Sequence, residues 1–208
     1  MKFSQIKITN SHNMKCIKYA VILEFLLSCK LELPIKLLDI GCYDLLFFDQ
    51  LKFNNLHKKI IYYGIDVHLS VPKPEKCNLS VANIENAPFK DESFDCIVFS
   101  GMIGWRSWKI MNPMLALAEI HRILKDDGIL FASCWNSALI KRLIDFFFIH
   151  PPNLIYMLDE KLFEKMMNEA DFDVIKFLYF PWAKPLLERI RKGGRNLNQE
   201  IIAAGEKR

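Results

Sequence analysis

The chain of 208 residues is 51% hydrophobic and 25% charged with a net charge of +4, which predicts one globular domain and excludes a disordered chain. It contains neither an aromatic-rich basic patch nor an apolar run of bilayer length, so we expect no nucleic-acid partner and no transmembrane segment. Its six cysteines lack the spacing of zinc ligands, so we predict no metal site and a reducing, cytoplasmic location.

The first segment of the chain, residues 1–33, is predicted to be helical. Apolar residues recur at helical spacing at Met14, Ile17, Val21 and Phe25, which predicts a helix that ends near Lys30. Pro34 then interrupts the pattern, since proline cannot continue a helix. We therefore expect an N-terminal helix to precede the first strand.

Residues 35–135 are predicted to form the core of the domain, in which apolar strands alternate with helices. The predicted strands are Ile35–Ile40, Ile60–Ile65, Cys77–Ala82, Phe94–Phe99 and Ile129–Trp135. The predicted helices are Asp44–Leu56 and Pro113–Leu124, and the second begins with a proline that suits a first helical turn. This alternation is typical of a parallel sheet with right-handed crossovers.

Residues 136–208 follow a different pattern. Helices are predicted over residues 137–149, 159–170 and 185–191, and strands over Val174–Phe180 and Glu200–Ala204. No complete strand–helix–strand unit joins these two strands, which indicates an antiparallel edge on the parallel sheet. No linker divides the chain, so residues 1–208 form one predicted domain.

Short motifs in the predicted core occur in a characteristic order, namely Leu37–Cys42, Gly64–Asp66, Asn83–Phe89, Asp91–Asp95 and Glu119–Gly128. As an ordered set they resemble the class I S-adenosylmethionine-dependent methyltransferase family. The resemblance implies an α/β Rossmann-like three-layer sandwich around a seven-stranded mixed sheet. Its implied strand order is 3-2-1-4-5-7-6 with only strand seven antiparallel, and its implied cofactor is S-adenosylmethionine.

The resemblance also implies where the cofactor binds. Open α/β sheets bind ligands beyond the carboxyl ends of their strands. By analogy with the family, Asp66 suits the ribose hydroxyls, Asn83 the adenine amine, and Asp39 the methionine amino group, while Gly41 lets the backbone approach the ligand. The full set of implied cofactor-binding residues is Asp39, Gly41, Cys42, Tyr43, Asp66, Val67, Asn83, Ile84, Ser100 and Gly101.

Two departures from the family pattern leave an alternative open. Tyr43 and Leu45 stand where the family has its second and third glycines, and a β-carbon at Leu45 would narrow the turn that faces the ligand. The alternative is a non-catalytic binding or scaffold protein with the methyltransferase fold that has lost cofactor binding. A dinucleotide dehydrogenase is disfavoured, because only Gly41 of its G-x-G-x-x-G motif is present.

The predicted partner is a small-molecule methyl acceptor, and the chain offers no assignable catalytic residue. Candidates for the acceptor side follow the fourth and fifth strands, where indole rings would wall a pocket: Met102, Trp105, Arg106, Trp135 and Asn136. The apolar stretch Phe146–Ile149 fits burial, an acceptor pocket, a homodimer contact or a membrane surface.

Overall fold

The sheet has the predicted topology. The structure, a computed structural model, describes residues 6–9, 14–69, 74, 77–103, 111–135, 160–180 and 200–207. The strands of these residues are β1 (Ile35–Ile40), β2 (Ile60–Asp66), β3 (Asn78–Val81), β4 (Phe94–Ile103), β5 (Leu124–Trp135), β6 (Phe172–Phe180) and β7 (Glu200–Lys207). They form one sheet in the order β3-β2-β1-β4-β5-β7-β6, and β7 alone runs in the direction opposite to the other six strands. Both predictions about the sheet are thus confirmed.

Helices cover both faces of this sheet and form the two outer layers of the sandwich. They are α1 (Met14–Ser28), α2 (Leu46–Phe53), α3 (Pro113–Ile123) and α4 (Glu160–Glu169). Apolar residues of α1 and α2 pack with one face of the central strands, and those of α3 and α4 pack with the other face. The described residues therefore have two apolar cores, one on each side of the sheet.

The central strands are buried on both faces, which explains their continuous apolar runs. In β1, Leu37 joins the core under α1 and α2, whereas Leu38 joins the core under α3 and α4, and both are fully buried. Successive strand residues point to opposite faces, so adjacent leucines serve different cores. Full burial of one such side chain contributes about 2 kcal/mol.

The helix that follows β1 is shorter than predicted. The sequence pattern predicts Asp44–Leu56, but α2 spans Leu46–Phe53 and is followed by a short 3-10 turn at Leu56–Lys58. Leu45 and Asn55 adopt left-handed backbone angles, with φ of 50° and 56°, and a residue with such angles cannot continue a right-handed helix. The chain therefore leaves the helix at Asn54 and turns directly into β2.

Strands β4 and β5 are longer than predicted because each carries an irregularity. Phe94 pairs with Leu124 and Cys96 pairs with Ile129, so residues 125–128 bulge out of β5 instead of preceding it. The side chain of Lys207 supports this bulge by bonding to the carboxylate of Asp126 at 2.9 Å. The other irregularity falls after Phe99 in β4, where Gly101 and Met102 line a cavity at the carboxyl ends of the strands.

The remaining boundaries differ by a few residues. Strand β3 is shorter than its predicted range, whereas β6 begins two residues earlier and β7 extends three residues further, to Lys207. Helix α4 matches its predicted range to within one residue at each end. The helices predicted over residues 137–149 and 185–191, together with the stretch Phe146–Ile149, lie outside the described residues.

Candidate functional site

A cavity of about 320 Å³ opens at the carboxyl ends of the first four strands. This volume lies at the lower end of the range for small-molecule sites, and the position is where open α/β sheets bind ligands. Most of its wall is apolar, and the polar side chains come from Asp66 and Asn83. The lining residues are Ile40, Gly41, Ile65, Asp66, Val67, Ala82, Asn83, Ile84, Gly101, Met102 and Met111.

Glycine is required at position 41, where the chain leaves β1. The residue has φ of +82°, and a β-carbon there would lie 3.2 Å from the Met102 sulfur. A side chain at this position would therefore be strained by the backbone and crowded by Met102. The backbone of Gly41 consequently forms part of the cavity wall.

The turn after Gly41 keeps a glycine-like conformation without its later glycines. Leu45 has φ of 50°, its amide donates to the Cys42 carbonyl at 2.9 Å, and its side chain is 5% exposed. That side chain packs into the core under α1 and α2 and does not line the cavity. The expected narrowing of the turn by Leu45 is thus wrong. Left-handed backbone angles cost a leucine about 1 kcal/mol, which its burial outweighs.

Asp66 joins the turns after β1 and β2. One carboxylate oxygen accepts the Tyr43 amide at 3.2 Å and the other accepts the His68 amide at 3.0 Å. Each oxygen retains a second acceptor position, and the residue lines the cavity. Asp66 therefore supports the turn and also presents acceptors to a ligand with hydroxyl groups. The Tyr43 side chain is exposed, and Val67 forms part of the rim.

Asp39 lies behind the cavity, on the face of β1 opposite to Ile40. The carboxylate is buried and accepts a hydrogen bond from the Tyr62 hydroxyl at 2.7 Å. Burial raises the pKa of Asp39 to about 7, although the Tyr62 hydrogen bond acts in the opposite direction. Asp39 is therefore separated from the cavity that holds most of the predicted residues.

Cys42 follows β1 and packs in the core under α1 and α2, so its thiol is not available for chemistry. The side chain is 1% exposed, and its sulfur lies 2.7 Å from where a β-carbon of Gly64 would stand. Burial, followed by the charges of Asp39 and Asp66, raises the pKa of the Cys42 thiol to about 12. The thiol stays protonated at neutral pH, so it is a packing residue and not a nucleophile.

The loop after β3 forms the far rim of the cavity. The Asn83 side chain caps a short 3-10 turn, because its oxygen accepts the Glu85 amide at 3.1 Å. Glu85 in turn accepts the backbone amide of Asn112, which caps α3. Ile84 is buried and lines the cavity. The predicted adenine-side residues are thus held by hydrogen bonds between this loop and α3.

An ion-pair network, not predicted from the sequence, fixes the next part of the same loop. Arg122 pairs with Glu119 at 2.6 Å and donates to the Phe89 carbonyl at 2.9 Å. Glu119 accepts the Ala87 amide at 3.0 Å, and its pKa is lowered mainly by its hydrogen bond with Arg122. Both residues belong to the Glu119–Gly128 motif, which the sequence shows. The hydrogen bonds from this motif to the loop after β3 were not predicted.

A bulge in β4 brings Met102 over Gly41. Gly101 has φ of +72°, and its amide donates to the buried Ser133 hydroxyl at 2.7 Å. Ser100 lies beside the same hydroxyl at 3.4 Å and does not line the cavity. Strand β5 therefore sets the path of β4 at the cavity through Ser133.

The acceptor side is described only in part. Met102 lines the cavity, and Trp135 ends β5 opposite Glu200. Trp105, Arg106 and Asn136 lie outside the described residues. In the described part of the chain, no cluster of acidic, histidine or cysteine side chains could hold a metal ion. None of the described helices is long and apolar enough to span a bilayer.

Comparison with known sequences finds a family and two archaeal relatives. The model of a family described as methyltransferase domain matches residues 12–176. Two uncharacterized proteins of Methanocaldococcus jannaschii are 38% identical over 112 residues and 34% identical over 141 residues. These matches cover 51% and 67% of this chain but 39% and 53% of the relatives, so the chain spans about half the length of the curated relatives it matches.

Solved structures of low identity share the fold. A SAM-dependent methyltransferase from Archaeoglobus fulgidus has a TM-score of 0.65 at 15% identity, covering 94% of this chain and 95% of its own. The Haloferax volcanii complex of the Trm112 methyltransferase activator with a putative methyltransferase gives a TM-score of 0.65 at 16% identity, with 93% and 91% covered. A Burkholderia thailandensis 1,6-didemethyltoxoflavin-N1-methyltransferase with bound S-adenosylhomocysteine gives 0.59 at 16%, with 91% and 76% covered.

Proposed function

The chain belongs to the methyltransferase domain family, and on this premise we propose that it transfers a methyl group from S-adenosylmethionine to a small-molecule acceptor. One observation carries the proposal. The cavity at the carboxyl ends of the strands combines an exposed glycine backbone at Gly41 with a carboxylate at Asp66. Gly41 lets a ligand approach the backbone closely, and Asp66 can accept hydrogen bonds from hydroxyl groups of that ligand.

The residues of the cavity fit the adenosine part of the cofactor. Ile65, Val67 and Ile84 present apolar surface that suits the faces of an adenine ring. The free acceptor positions of Asp66 suit two neighbouring ribose hydroxyls. When bound, S-adenosylmethionine supplies an activated methyl group on a sulfonium.

This chain contributes mainly binding and orientation to the transfer. Methyl transfer depends on alignment of the acceptor with the methyl group, so fixed walls matter more than acid–base groups. The Asp66 hydrogen bonds and the Glu119–Arg122 network hold the two loops that face each other across the cavity. Met102, near the end of β4, lies over Gly41 and forms part of the cavity wall.

The proposal also includes a small-molecule acceptor and a cytoplasmic location. The Burkholderia enzyme is named for a small-molecule substrate, and this chain lacks an aromatic-rich basic patch for nucleic acid. Indole rings at Trp105 and Trp135 remain candidate walls for the acceptor pocket. All six cysteines carry free thiols, which supports a reducing, cytoplasmic compartment.

Calorimetric titration with S-adenosylmethionine and S-adenosylhomocysteine tests the proposal. We expect both ligands to bind the wild-type protein, and Asp66→Ala to weaken binding about 10- to 100-fold through lost charge-assisted hydrogen bonds. Asp66→Asn keeps one oxygen for the backbone amides and should lose less affinity. Asp126→Ala removes an exposed carboxylate near the amino end of β5, at the end of the sheet opposite to the cavity. This variant should leave the affinity for both ligands unchanged.

The same titration decides between the proposal and its alternative. Absence of binding by a folded wild-type protein at millimolar ligand would contradict cofactor binding and favour the scaffold protein. Equal losses in Asp66→Ala and Asp126→Ala would show that the carboxylate at the cavity has no specific role.

A further inference from the structure

Tyr62 and Asp39 form a buried hydrogen-bonded pair directly behind the cavity. The hydroxyl of Tyr62 donates to the Asp39 carboxylate at 2.7 Å, and the two side chains are 2% and 3% exposed. The Tyr62 ring packs against Phe48 of α2, with centroids 5.1 Å apart. The hydroxyl therefore has a fixed position, and it fixes the carboxylate in turn.

Asp39 stands near the end of β1, two residues before Gly41, and Tyr62 lies on the neighbouring strand β2. A polar pair in an apolar core contributes little to net stability, because desolvation offsets the hydrogen bond. Phenylalanine would fill the same space next to Phe48 without the need for a polar partner. The presence of a tyrosine and an aspartate behind a ligand cavity thus points to a role in the site.

The charges near Asp39 decide which kind of ligand group would interact with it. Lys18 of α1 favours the ionised carboxylate, whereas Asp44 and Asp66 oppose it. Lys15 is paired with Asp44 at 2.6 Å, which reduces the negative charge on that side. The titratable or charged groups that act on Asp39 are Lys18, Asp44, Tyr62 and Asp66, and it acts in turn on the thiols of Cys42 and Cys96.

We propose that Tyr62 is a positioning residue, whose hydroxyl holds the Asp39 carboxylate behind the Gly41 turn for the ammonium group of the cofactor. This inference rests on the proposed function, since it assumes that the cavity holds S-adenosylmethionine. The ammonium group lies at the amino-acid end of that molecule, and an ionised carboxylate attracts it. Because Asp39 does not line the cavity, the attraction acts across the Gly41 turn and not by direct contact.

The hydrogen bond from Tyr62 also sets the pH range in which Asp39 carries charge. Burial holds the pKa of Asp39 at about 7, and the Tyr62 hydroxyl stabilises the ionised form. Affinity for a ligand with an ammonium group should therefore rise with pH through this range. Removal of the hydroxyl should move the rise to higher pH, by about one unit for a lost hydrogen bond to a charged group.

Calorimetric titrations between about pH 5.5 and 7.5, below the range where α-amino groups lose their proton, test the inference. The ligands are S-adenosylhomocysteine and methylthioadenosine, which lacks the amino-acid end. The variants are Tyr62→Phe and, as matched control, Tyr63→Phe. Tyr63 is the next residue on β2, packs against Phe94 on the opposite face and loses the same atom. Carbon-13 titration of the aspartate carboxyl groups, with Asp39→Asn for assignment, measures Asp39 without ligand.

We expect Tyr62→Phe to weaken S-adenosylhomocysteine binding about tenfold at pH 6.5, to recover affinity at higher pH, and to leave methylthioadenosine binding unchanged. The titration midpoint of Asp39 should rise in Tyr62→Phe but not in Tyr63→Phe. Binding by the wild type with an unshifted Tyr62→Phe profile overturns the inference alone. Equal losses for both ligands also overturn it, because they indicate general damage. No binding by the folded wild type overturns the proposed function, and the inference with it.

Discussion

Two loops face each other across the cavity and are held in different ways. The β1 turn, residues 41–45, keeps its shape through apolar burial of Leu45 in a left-handed conformation. The β3 loop, residues 83–89, is held by hydrogen bonds in which the Glu85 and Glu119 carboxylates accept and the Arg122 guanidinium donates. The first loop keeps Gly41, but Tyr43 and Leu45 stand where the family has its second and third glycines. The second loop is held by Glu119 and Arg122 of α3, which belong to the Glu119–Gly128 motif.

This difference shows how a turn can lose its motif and keep its geometry. A polar network needs particular side chains at fixed spacing, so it leaves a sequence motif. An apolar anchor needs only a side chain of suitable size beneath the turn, and the core that receives it comes from distant segments. The β1 turn therefore depends on α1 and α2, and the β3 loop depends on α3.

The largest expected effect is at Leu45. Leu45→Ala should lower the free energy of unfolding by about 3 kcal/mol, because it removes a buried side chain. Leu45→Gly loses the same side chain but relieves the left-handed strain, so it should be about 1 kcal/mol more stable than the alanine variant. Urea unfolding measures both variants.

The matched control for Leu45 is Leu51, which is fully buried in the same core but lies in α2. There the order should reverse, with the glycine variant about 1 kcal/mol less stable than the alanine variant, because glycine is unfavourable inside a helix. The same order at both positions would contradict the strained-turn interpretation.

The next effect concerns the β3 loop. Arg122→Met should cost about 2 kcal/mol, since it breaks several charge-assisted hydrogen bonds that are screened in part by solvent. Urea unfolding measures the cost, and proteolysis within residues 83–91 reports loosening of the loop. Lys165→Met removes the exposed partner of Glu169 and should change stability by less than about 0.5 kcal/mol. A similarly small loss for Arg122→Met would show that α3 does not hold this loop.

A third effect depends on pH and concerns Asp39, which precedes the β1 turn; over the whole window between pH 4 and 8 it amounts to at most about 4 kcal/mol. The folded pKa of Asp39 is raised to about 7 by burial, above its ordinary value of 3.8, so its contribution to stability decreases as pH rises through this window. Asp39→Asn should therefore be more stable than wild type at pH 8, and the gain should shrink toward pH 4. Urea unfolding across this range checks the slope, and a gain that grows toward low pH would contradict the assignment.

The smallest effect is expected at the exposed ion pair that joins α1 to the β1 turn. Lys15 and Asp44 are 2.6 Å apart, but their side chains are 51% and 31% exposed. Lys15→Met should cost less than about 0.5 kcal/mol by thermal or urea unfolding. A loss comparable to that of Leu45→Ala would mean that the turn is held by charge and not by apolar burial.

The sequence predicted the strands that are buried on both faces better than the loops between them. Continuous apolar runs identified β1 and β4, and the strand-end residues Gly41 and Asp66 were predicted to lie together, as they do. Their binding roles remain predictions. The left-handed angles of Leu45 could not be predicted, because only the folded core makes them favourable for a leucine.

The start of β5 shows the same limitation. Residues Asp126–Gly128 read locally as a turn, so the strand was predicted to begin at Ile129. In the structure Leu124 already pairs with Phe94, and residues 125–128 bulge between two paired positions. The pairing depends on a neighbouring strand about thirty residues away, which a local pattern does not contain.

The position of β7 has a consequence for synthesis on the ribosome. Although β7 follows β6 in the chain, it is inserted between β5 and β6, and Trp135 pairs with Glu200. The emerging β5 therefore presents an open edge until residues 200–207 have left the exit tunnel. At ordinary elongation rates of roughly 5–20 residues per second, this interval lasts several seconds. During that time another nascent chain could add a strand to the open edge, so slow translation before residue 200 should favour aggregation.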